Sequence, residues 1–143
     1  MTVTIYLVSC VSQKQPNPAA AKDLYISPWF KKARRFVDAT GLPWFVLSAK
    51  YGLSHPDRLV DPYELTLNNM PVKNRRLWAD RVLVQLRPHL DGVDIVVFMA
   101  GLRYREFLAP ALRHYGLKVS VPMEGLRMGQ QLQWLTGERY GVS

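Results

Sequence analysis

The chain has 143 residues, of which 48% are hydrophobic and 21% are charged. These proportions are typical of one globular domain and exclude disordered, collagen-like and coiled-coil proteins. No apolar run reaches the roughly 18 residues of a membrane span, and the first ten residues lack the basic region of a signal peptide. One cysteine, Cys10, excludes an internal disulfide framework. We therefore expect a domain of a reducing cytoplasm with no membrane partner.

The charge balance is strongly basic. Nineteen lysines and arginines against eleven acidic residues give a net charge of +8, and the isoelectric point is near 9.9. A value above about 9 is typical of proteins that bind nucleic acid. Small basic domains that bind no polyanion share this property, so the charge alone leaves both interpretations open.

The pattern of predicted elements alternates between strand and helix. A β-branched, apolar run predicts a strand over 3–9. Ser27 is a good N-cap and Pro28 suits a first helical position, so a helix is predicted from there to Gly41. The further elements, in chain order, are a strand over 44–47, a long turn-rich segment over 48–70, a helix from Pro71 to about Arg87, a strand over 94–99, a helix from Gly101 through Tyr115 with a kink at Pro110, a strand over 119–121 and a helix over 128–135.

This alternation predicts a fold. We expect a single α/β domain over 1–143, with a mainly parallel sheet of about four strands and helices on both faces. Open sheets of this kind bind ligands outside the carboxyl ends of their strands. The chemistry of the protein is therefore expected at that edge.

The residues that follow the strands are candidates for this edge. They are Ser9, Cys10, Ser48, Lys50, Tyr51, Gly101, Arg103, Tyr104 and Arg105. Cys10 is either a nucleophile or a small buried hydrophobe. Arg103 and Arg105 at a helix start oppose the helix dipole, which favours a bound anion there over a merely solvated helix start.

The segment over 48–67 is the densest in functional side chains. It carries Lys50, His55, Asp57, Asp61 and Glu64 beside Tyr51 and Tyr63. Aromatic rings stack on bases, and a carboxylate acts as a general base or stabilises a developing cation, so the combination is typical of a pocket for a nucleobase. The alternative is a polar Ω-loop whose acids cap turns.

Other features predict what surrounds such a pocket. The histidines, His55, His89 and His114, have no metal-ligand spacing, so we predict no metal and no cofactor. Gln131 has the donor and acceptor pair that reads a base edge, or it caps or packs a helix. The candidates for contacts with a nucleic-acid backbone are Lys31, Lys32, Arg34, Arg35, Arg75, Arg76 and Arg103; each is otherwise part of a solvated face.

Several strings resemble a known family of small bacterial domains of unknown function. The strings are Leu7-Val-Ser-Cys10 with Lys14, Ala21-Lys-Asp-Leu-Tyr25, Ser48-Ala-Lys-Tyr-Gly-Leu53 with Pro56-Asp57, Asp61-Pro-Tyr-Glu-Leu-Thr-Leu67, Gly101 with Tyr104-Arg105, and Pro122 with Gly125-Leu126, Gly129-Gln-Gln-Leu132 and Trp134-Leu135. The family is similar to YaaA, the DNA-binding peroxide-stress protein, and to a domain of archaeosine synthase. Ser12 stands where the family has its first opening lysine, which leaves Lys14 as the candidate for a phosphate contact.

The resemblance implies work on modified bases in nucleic acid. DNA is favoured over RNA as the polymer, and the choice between them stays open. The leading hypothesis is a DNA glycosylase-like enzyme that flips out a modified base and excises it, in defence against phages with modified genomes or in base repair. Asp61 is the first candidate for the catalytic carboxylate and Glu64 the second. Lys50 would bind the phosphate or the leaving base, or form a Schiff base with the sugar and nick the strand. Tyr51 or Tyr63 would stack on the base.

The remaining substrate-binding candidates complete the predicted pocket. They are Ser9, Cys10, Lys14, Ser48, Gly101, Tyr104, Arg105 and Gln131. Two other functions stay open at this point. One is a non-catalytic module that binds DNA or RNA, and the other is a hydrolase or transferase of free nucleosides or nucleotides.

Overall fold

A computed structural model describes residues 2–137 of the chain. The strands are β1 (Thr4–Ser9), β2 (Ala19–Ala20), β3 (Trp44–Ser48), β4 (Gly52–Ser54), β5 (Leu59–Val60), β6 (Ile95–Met99) and β7 (Lys118–Ser120). The helices are α1 (Ala21–Leu24), α2 (Pro28–Thr40), α3 (Val72–Leu86), α4 (Leu102–Arg105), α5 (Leu108–His114) and α6 (Met128–Leu135), with 3-10 turns at Leu67–Asn69 and Arg87–His89. None of these helices is long and apolar enough to cross a membrane.

The main sheet has five strands in the order β4-β3-β1-β6-β7. All neighbours are parallel except β4, which runs antiparallel to β3. The prediction of an α/β domain with a mainly parallel sheet is therefore confirmed. The fifth strand, β4, comes from the segment predicted to be turn-rich, because Gly52 adopts a φ of 74° and lets the chain fold back along β3.

The order of the strands positions the edge where a ligand would bind. The chain moves from β1 through α2 to β3, and then crosses through α3 to β6 on the other side of β1. Right-handed crossovers place α2 on one face of the sheet and α3 on the other. The topological switch point therefore lies between the carboxyl ends of β1 and β6, where open α/β sheets hold their ligands.

Helix α2 forms where its local signals predict it. The Ser27 hydroxyl accepts a hydrogen bond from the Phe30 backbone N–H at 3.1 Å, Pro28 occupies the first turn, and Gly41 ends the helix with a φ of 69°. On its inner face, Phe30, Ala33 and Val37 are fully buried. The predicted last helix is also confirmed, since α6 spans Met128–Leu135.

The predicted helix from Gly101 through Tyr115 is wrong as one element. The structure has α4 and α5 instead, with a break at Glu106 and Phe107. A continuous helix would need the missing N–H of Pro110 to bond with the carbonyl of Glu106. The restart at Leu108 places Pro110 in a first turn, where the backbone N–H has no helical partner in any case.

Smaller elements differ from the sequence prediction as well. Helix α3 begins at Val72, with Pro71 outside it, and β7 lies one residue earlier than expected. The pairing of β2 with β5 in a two-stranded antiparallel ribbon was not predicted. Two-residue strands have too few side chains for a detectable alternation, so only their tertiary pairing defines them.

Candidate functional site at the carboxyl edge of the sheet

The switch point is occupied by side chains from the segments that follow its two strands. Cys10 follows β1, and its backbone N–H donates to the carbonyl of Leu47 on β3 at 2.9 Å. Its Sγ lies 3.5 Å from the hydroxyl of Tyr104, which comes from α4 after β6. The thiol and the phenol therefore meet across the crevice, and both residues are buried.

A hydrogen-bonded group of hydroxyls continues from this contact, and we call it, with the thiol, the hydroxyl–thiol cluster (Cys10, Tyr25, Ser48, Tyr63 and Tyr104). The Ser48 hydroxyl at the end of β3 donates to the Tyr63 hydroxyl at 2.8 Å. The hydroxyls of Tyr63 and Tyr25 are also 2.8 Å apart. Five side chains from separate parts of the chain thus line one edge of the sheet.

The three phenols of the cluster are neutral at ordinary pH. Burial raises the pKa values of the Tyr25, Tyr63 and Tyr104 hydroxyls, and a charge on Cys10 would raise them further. Since these phenols keep their protons, they act as hydrogen-bond donors and acceptors rather than as bases.

Lys14 lies against this cluster. Its Nζ is 4.4 Å from the centre of the Tyr63 ring and 5.8 Å from that of Tyr25, and it donates to the carbonyl of Ser12 at 3.3 Å. Burial lowers the pKa of the Lys14 amine, while the charges of Cys10 and Glu64 oppose this shift. The side chain is therefore a partly buried amine at the edge of the sheet.

A second group, the cationic rim (Lys50, Tyr51, Arg58 and Asp61), borders the cluster. The Tyr51 ring lies 5.2 Å from the Lys50 ammonium and 5.0 Å from the Arg58 guanidinium. The Asp61 backbone N–H donates to the Tyr51 hydroxyl at 3.1 Å, so residue 61 is held beside the ring. The rim meets the cluster because the rings of Tyr51 and Tyr63 pack edge to face.

The two predicted catalytic carboxylates lie outside the buried cluster. Asp61 and Glu64 are both exposed, with Asp61 on the rim. The charge of Glu64 reaches the Lys14 amine. Their catalytic role stays a prediction, as does the role of Lys50, which is exposed beside Tyr51.

The residues predicted after β6 are engaged by the protein itself. Arg105 donates from Nε to the carbonyl of Ala100 at 3.2 Å and from its guanidinium to Glu124 at 3.3 Å. Arg103 lies 3.9 Å from Glu106. Gly101 precedes α4, which has only four residues. At the anion site expected after β6, both arginines are therefore already paired with carboxylates.

Two of the predicted ligand-contact residues are held by contacts within the protein. Arg75 is only 6% exposed and binds Glu106 at 2.7 Å and the carbonyl of Met70 at 2.5 Å, so it holds α3 to the α4–α5 break. Gln131 accepts from Trp29 Nε1 and donates to the carbonyl of Leu126, both at 2.9 Å. Its amide holds α6 against α2, which is the packing role that the sequence left open.

The cations of α2 that were predicted to contact a nucleic-acid backbone differ in their exposure to solvent. Arg34 binds Asp23 and Asp38. Lys31 and Arg35 are exposed and Lys32 is partly buried. Lys31, Arg34 and Arg35 line a cleft of about 400 Å³ that reaches Tyr25 of the cluster. Arg76 lies 4.3 Å from the Phe107 ring centre, on α3.

Several functional neighbours were missed from the sequence. Tyr25 lies in one of the family strings but had no predicted role, and Arg58 was not singled out. Trp78 donates to the carbonyl of Ser48 at 2.9 Å, and the hydroxyl of Thr66 is 3.5 Å from that of Tyr104. No local pattern reveals these contacts, because their partners lie 30 or more residues away along the chain.

The histidines do not assemble a metal site in the structure. Within residues 2–137, no three His, Cys, Asp or Glu side chains come close enough to hold a metal ion. His55 uses Nδ1 to accept from the backbone of Asp57 at 3.1 Å, and the ring of His89 packs on Phe45 with centres 4.7 Å apart.

These features define a small doubly wound α/β domain with a hydroxyl–thiol cluster at its topological switch point. Residues 5–137 match a family described as a family of unknown function, DUF6884, and the chain belongs to that family. It is similar to the uncharacterized protein YfjM of Bacillus subtilis (strain 168), with 27% identity over 126 residues, which cover 86% of this chain and 82% of the relative. No solved structure matches the chain significantly.

Proposed function

We propose that this protein is an N-glycosyl hydrolase that excises a modified base from nucleic acid, with DNA as the polymer. The observation that supports this most directly is the cationic rim, in which two cations lie over the Tyr51 ring and the backbone of the exposed Asp61 is bonded to the Tyr51 hydroxyl. This combination suits a flipped nucleotide, since the ring offers a stacking surface and the cations attract the flanking phosphates.

Tyr51 is the better of the two predicted stacking rings. Its ring is partly exposed on the rim, and a base can stack there by displacing the flexible Lys50 or Arg58 side chain. The Tyr63 ring carries the Lys14 amine 4.4 Å from its centre, and its hydroxyl is held by Ser48 and Tyr25. Tyr63 therefore serves as a wall of the pocket.

Asp61 supplies the carboxylate of the reaction. It takes a proton from water as the water oxygen bonds to C1′ of the sugar, or it stabilises the positive charge that C1′ gains as the bond breaks. The bond between C1′ and the base nitrogen breaks, and the base leaves with the electron pair and acquires a proton. Lys50 neutralises the leaving base or holds the adjacent phosphate, and Glu64 is the second candidate for the carboxylate.

The resemblance of the strings to YaaA and to the archaeosine synthase domain supports the choice of a nucleic-acid substrate with a modified base. The net charge of +8 agrees with it. With such a substrate, the physiological role is defence of the cell against phages with modified genomes, or base repair, in the cytoplasm.

The test is the release of free base from DNA, measured by mass spectrometry. Ordinary DNA and phage DNAs with hydroxymethylated or glucosylated pyrimidines are incubated with the wild type, Asp61→Asn and Asp91→Asn. We expect release from one modified DNA, with abasic sites left behind, and a loss of about 100-fold or more in Asp61→Asn. Asp91→Asn is the matched control, because this exposed carboxylate precedes β6 at the opposite edge of the sheet.

A second candidate function is a non-catalytic DNA-binding module, which the exposed cations of α2 favour. In that case no base is released, and Asp61→Asn binds DNA as the wild type does. Base release from free nucleosides with little salt dependence would instead identify an enzyme of small nucleotides. Either result would overturn the excision mechanism.

A further inference from the structure

We propose that Lys14 is an amine nucleophile that forms an imine with C1′ of an abasic sugar, which gives the protein a strand-nicking lyase activity. The inference rests on the proposed function, because it concerns the sugar that base excision leaves behind. It assigns the Schiff-base role to Lys14, whereas the sequence pointed to Lys50.

The backbone around Lys14 is fixed against the cluster. Residues 13–15 pair with residues 24–26 in an antiparallel bridge centred on Lys14 and Tyr25. The Gln15 N–H donates to the carbonyl of Leu24 at 2.9 Å, and the Ile26 N–H donates to the carbonyl of Gln13 at 3.0 Å. These backbone hydrogen bonds therefore hold residue 14 beside Tyr25.

The amine itself has the surroundings that a nucleophile needs. Its Nζ lies over the Tyr63 ring and donates to a backbone carbonyl, and none of the ion pairs among residues 2–137 includes Lys14. Burial lowers its pKa, which increases the fraction that carries a free lone pair. Lys50, in contrast, is exposed to water.

The chemistry balances without an added reactant. The Nζ lone pair attacks C1′ of the open-chain aldehyde, and the resulting carbinolamine loses water to give a protonated imine. A proton then leaves C2′, its bonding electrons form a double bond to C3′, and the bond from C3′ to the phosphate oxygen breaks with the electron pair on the phosphate. Water hydrolyses the imine, which releases the unsaturated aldehyde and restores Lys14.

The experiment uses a duplex in which an abasic site has been made beforehand with an unrelated uracil glycosylase. Borohydride is added to reduce any imine to a stable covalent adduct, and the modified peptide is identified by mass spectrometry. We expect an adduct on Lys14, strand nicking without borohydride, and loss of both in Lys14→Arg. This variant keeps the positive charge over the Tyr63 ring, but its guanidinium forms no imine.

A matched control removes a lysine from elsewhere on the surface. Lys118 on β7 is exposed, so Lys118→Met should retain the adduct and the nicking. An adduct on Lys50, or none on a wild-type protein that binds the duplex, would overturn the inference. Because the abasic site is supplied, these outcomes are independent of base release, and a protein that excises bases but forms no adduct would refute only the lyase step.

Discussion

At the residue scale, the Tyr63 hydroxyl is the centre of the hydroxyl–thiol cluster. It is bonded to Ser48 from β3 and to Tyr25 beyond α1, so it ties three parts of the chain to one edge of the sheet. A buried hydroxyl that keeps its partners stabilises the fold modestly, whereas an unpaired one costs about 1–3 kcal/mol. The cluster is therefore a specific arrangement and not a loose polar patch.

The cluster predicts how stability depends on pH. Unfolded tyrosines ionise at about pH 10, while burial raises the pKa values of Tyr25, Tyr63 and Tyr104 in the folded protein. Above that pH the folded state binds more protons than the unfolded state, so the free energy of unfolding falls as pH rises.

Two measurements check this expectation. Urea unfolding below and above the pKa of unfolded tyrosine should show the loss of stability. In a pH titration, the absorbance of tyrosinate should rise at a higher pH in the folded protein than in the urea-unfolded chain; this difference is the lag. The exposed Tyr115 serves as a control, since Tyr115→Phe should leave this lag unchanged. Ionisation of every tyrosine at the unfolded pKa, with the fold intact, would contradict the prediction.

At the element scale, helix α3 holds the β3–β4 hairpin that carries the rim. The Gln85 amide accepts from Leu53 N–H at 2.8 Å and donates to the Tyr51 carbonyl at 3.2 Å, and Arg81 donates to the Lys50 carbonyl at 2.9 Å. These bonds satisfy backbone groups of the hairpin that sheet pairing leaves free. They also position Lys50 and Tyr51.

Gly52 is the residue on which this hairpin depends. Its φ is 74°, and a Cβ at this position would lie 2.3 Å from the Gln85 side-chain oxygen. Gly52→Ala should therefore lower the free energy of unfolding by about 1–3 kcal/mol for the backbone strain, and further because Gln85 must move. Thermal or urea unfolding measures this loss.

Gly92 offers a matched control for the backbone strain. Its φ is 76°, but nothing lies within 4 Å of the position of its Cβ. Gly92→Ala should cost only the strain, so the difference between the two variants reports the displacement of Gln85. Equal losses in both variants would show that α3 does not clamp the hairpin.

At the scale of the whole molecule, the positive charge is divided between cations that hold the fold and cations that face solvent. Arg34, Arg75 and Arg105 have acidic partners. Lys31 and Arg35 of α2 are exposed, as are the cations of the rim. The second group is the one that can release counterions from a nucleic acid.

This division predicts the salt dependence of DNA binding. The double variant Lys31→Gln with Arg35→Gln should reduce the slope of log affinity against log salt by about 2, roughly one for each phosphate that is no longer neutralised. Fluorescence anisotropy with a labelled duplex at several salt concentrations measures the slope. The control is Arg113→Gln with Lys118→Gln, two exposed cations near the start of β7. An equal reduction there would contradict the assignment of phosphate contacts to Lys31 and Arg35.

The sequence by itself determined the α/β class, the caps of α2, the bounds of α6 and several residues of the edge, including Cys10, Ser48 and Tyr51. These features follow from hydrophobic periodicity, helix caps and short motifs, all of which involve residues close together in the sequence. Tertiary structure alone decided that Arg75 pairs with Glu106, 31 residues away, and that Gln131 binds Trp29, 102 residues away. It also decided that β4 joins the sheet and that Tyr25 joins the cluster. The physical reason is that a polar side chain shows what it can bind, whereas packing decides which partner it meets.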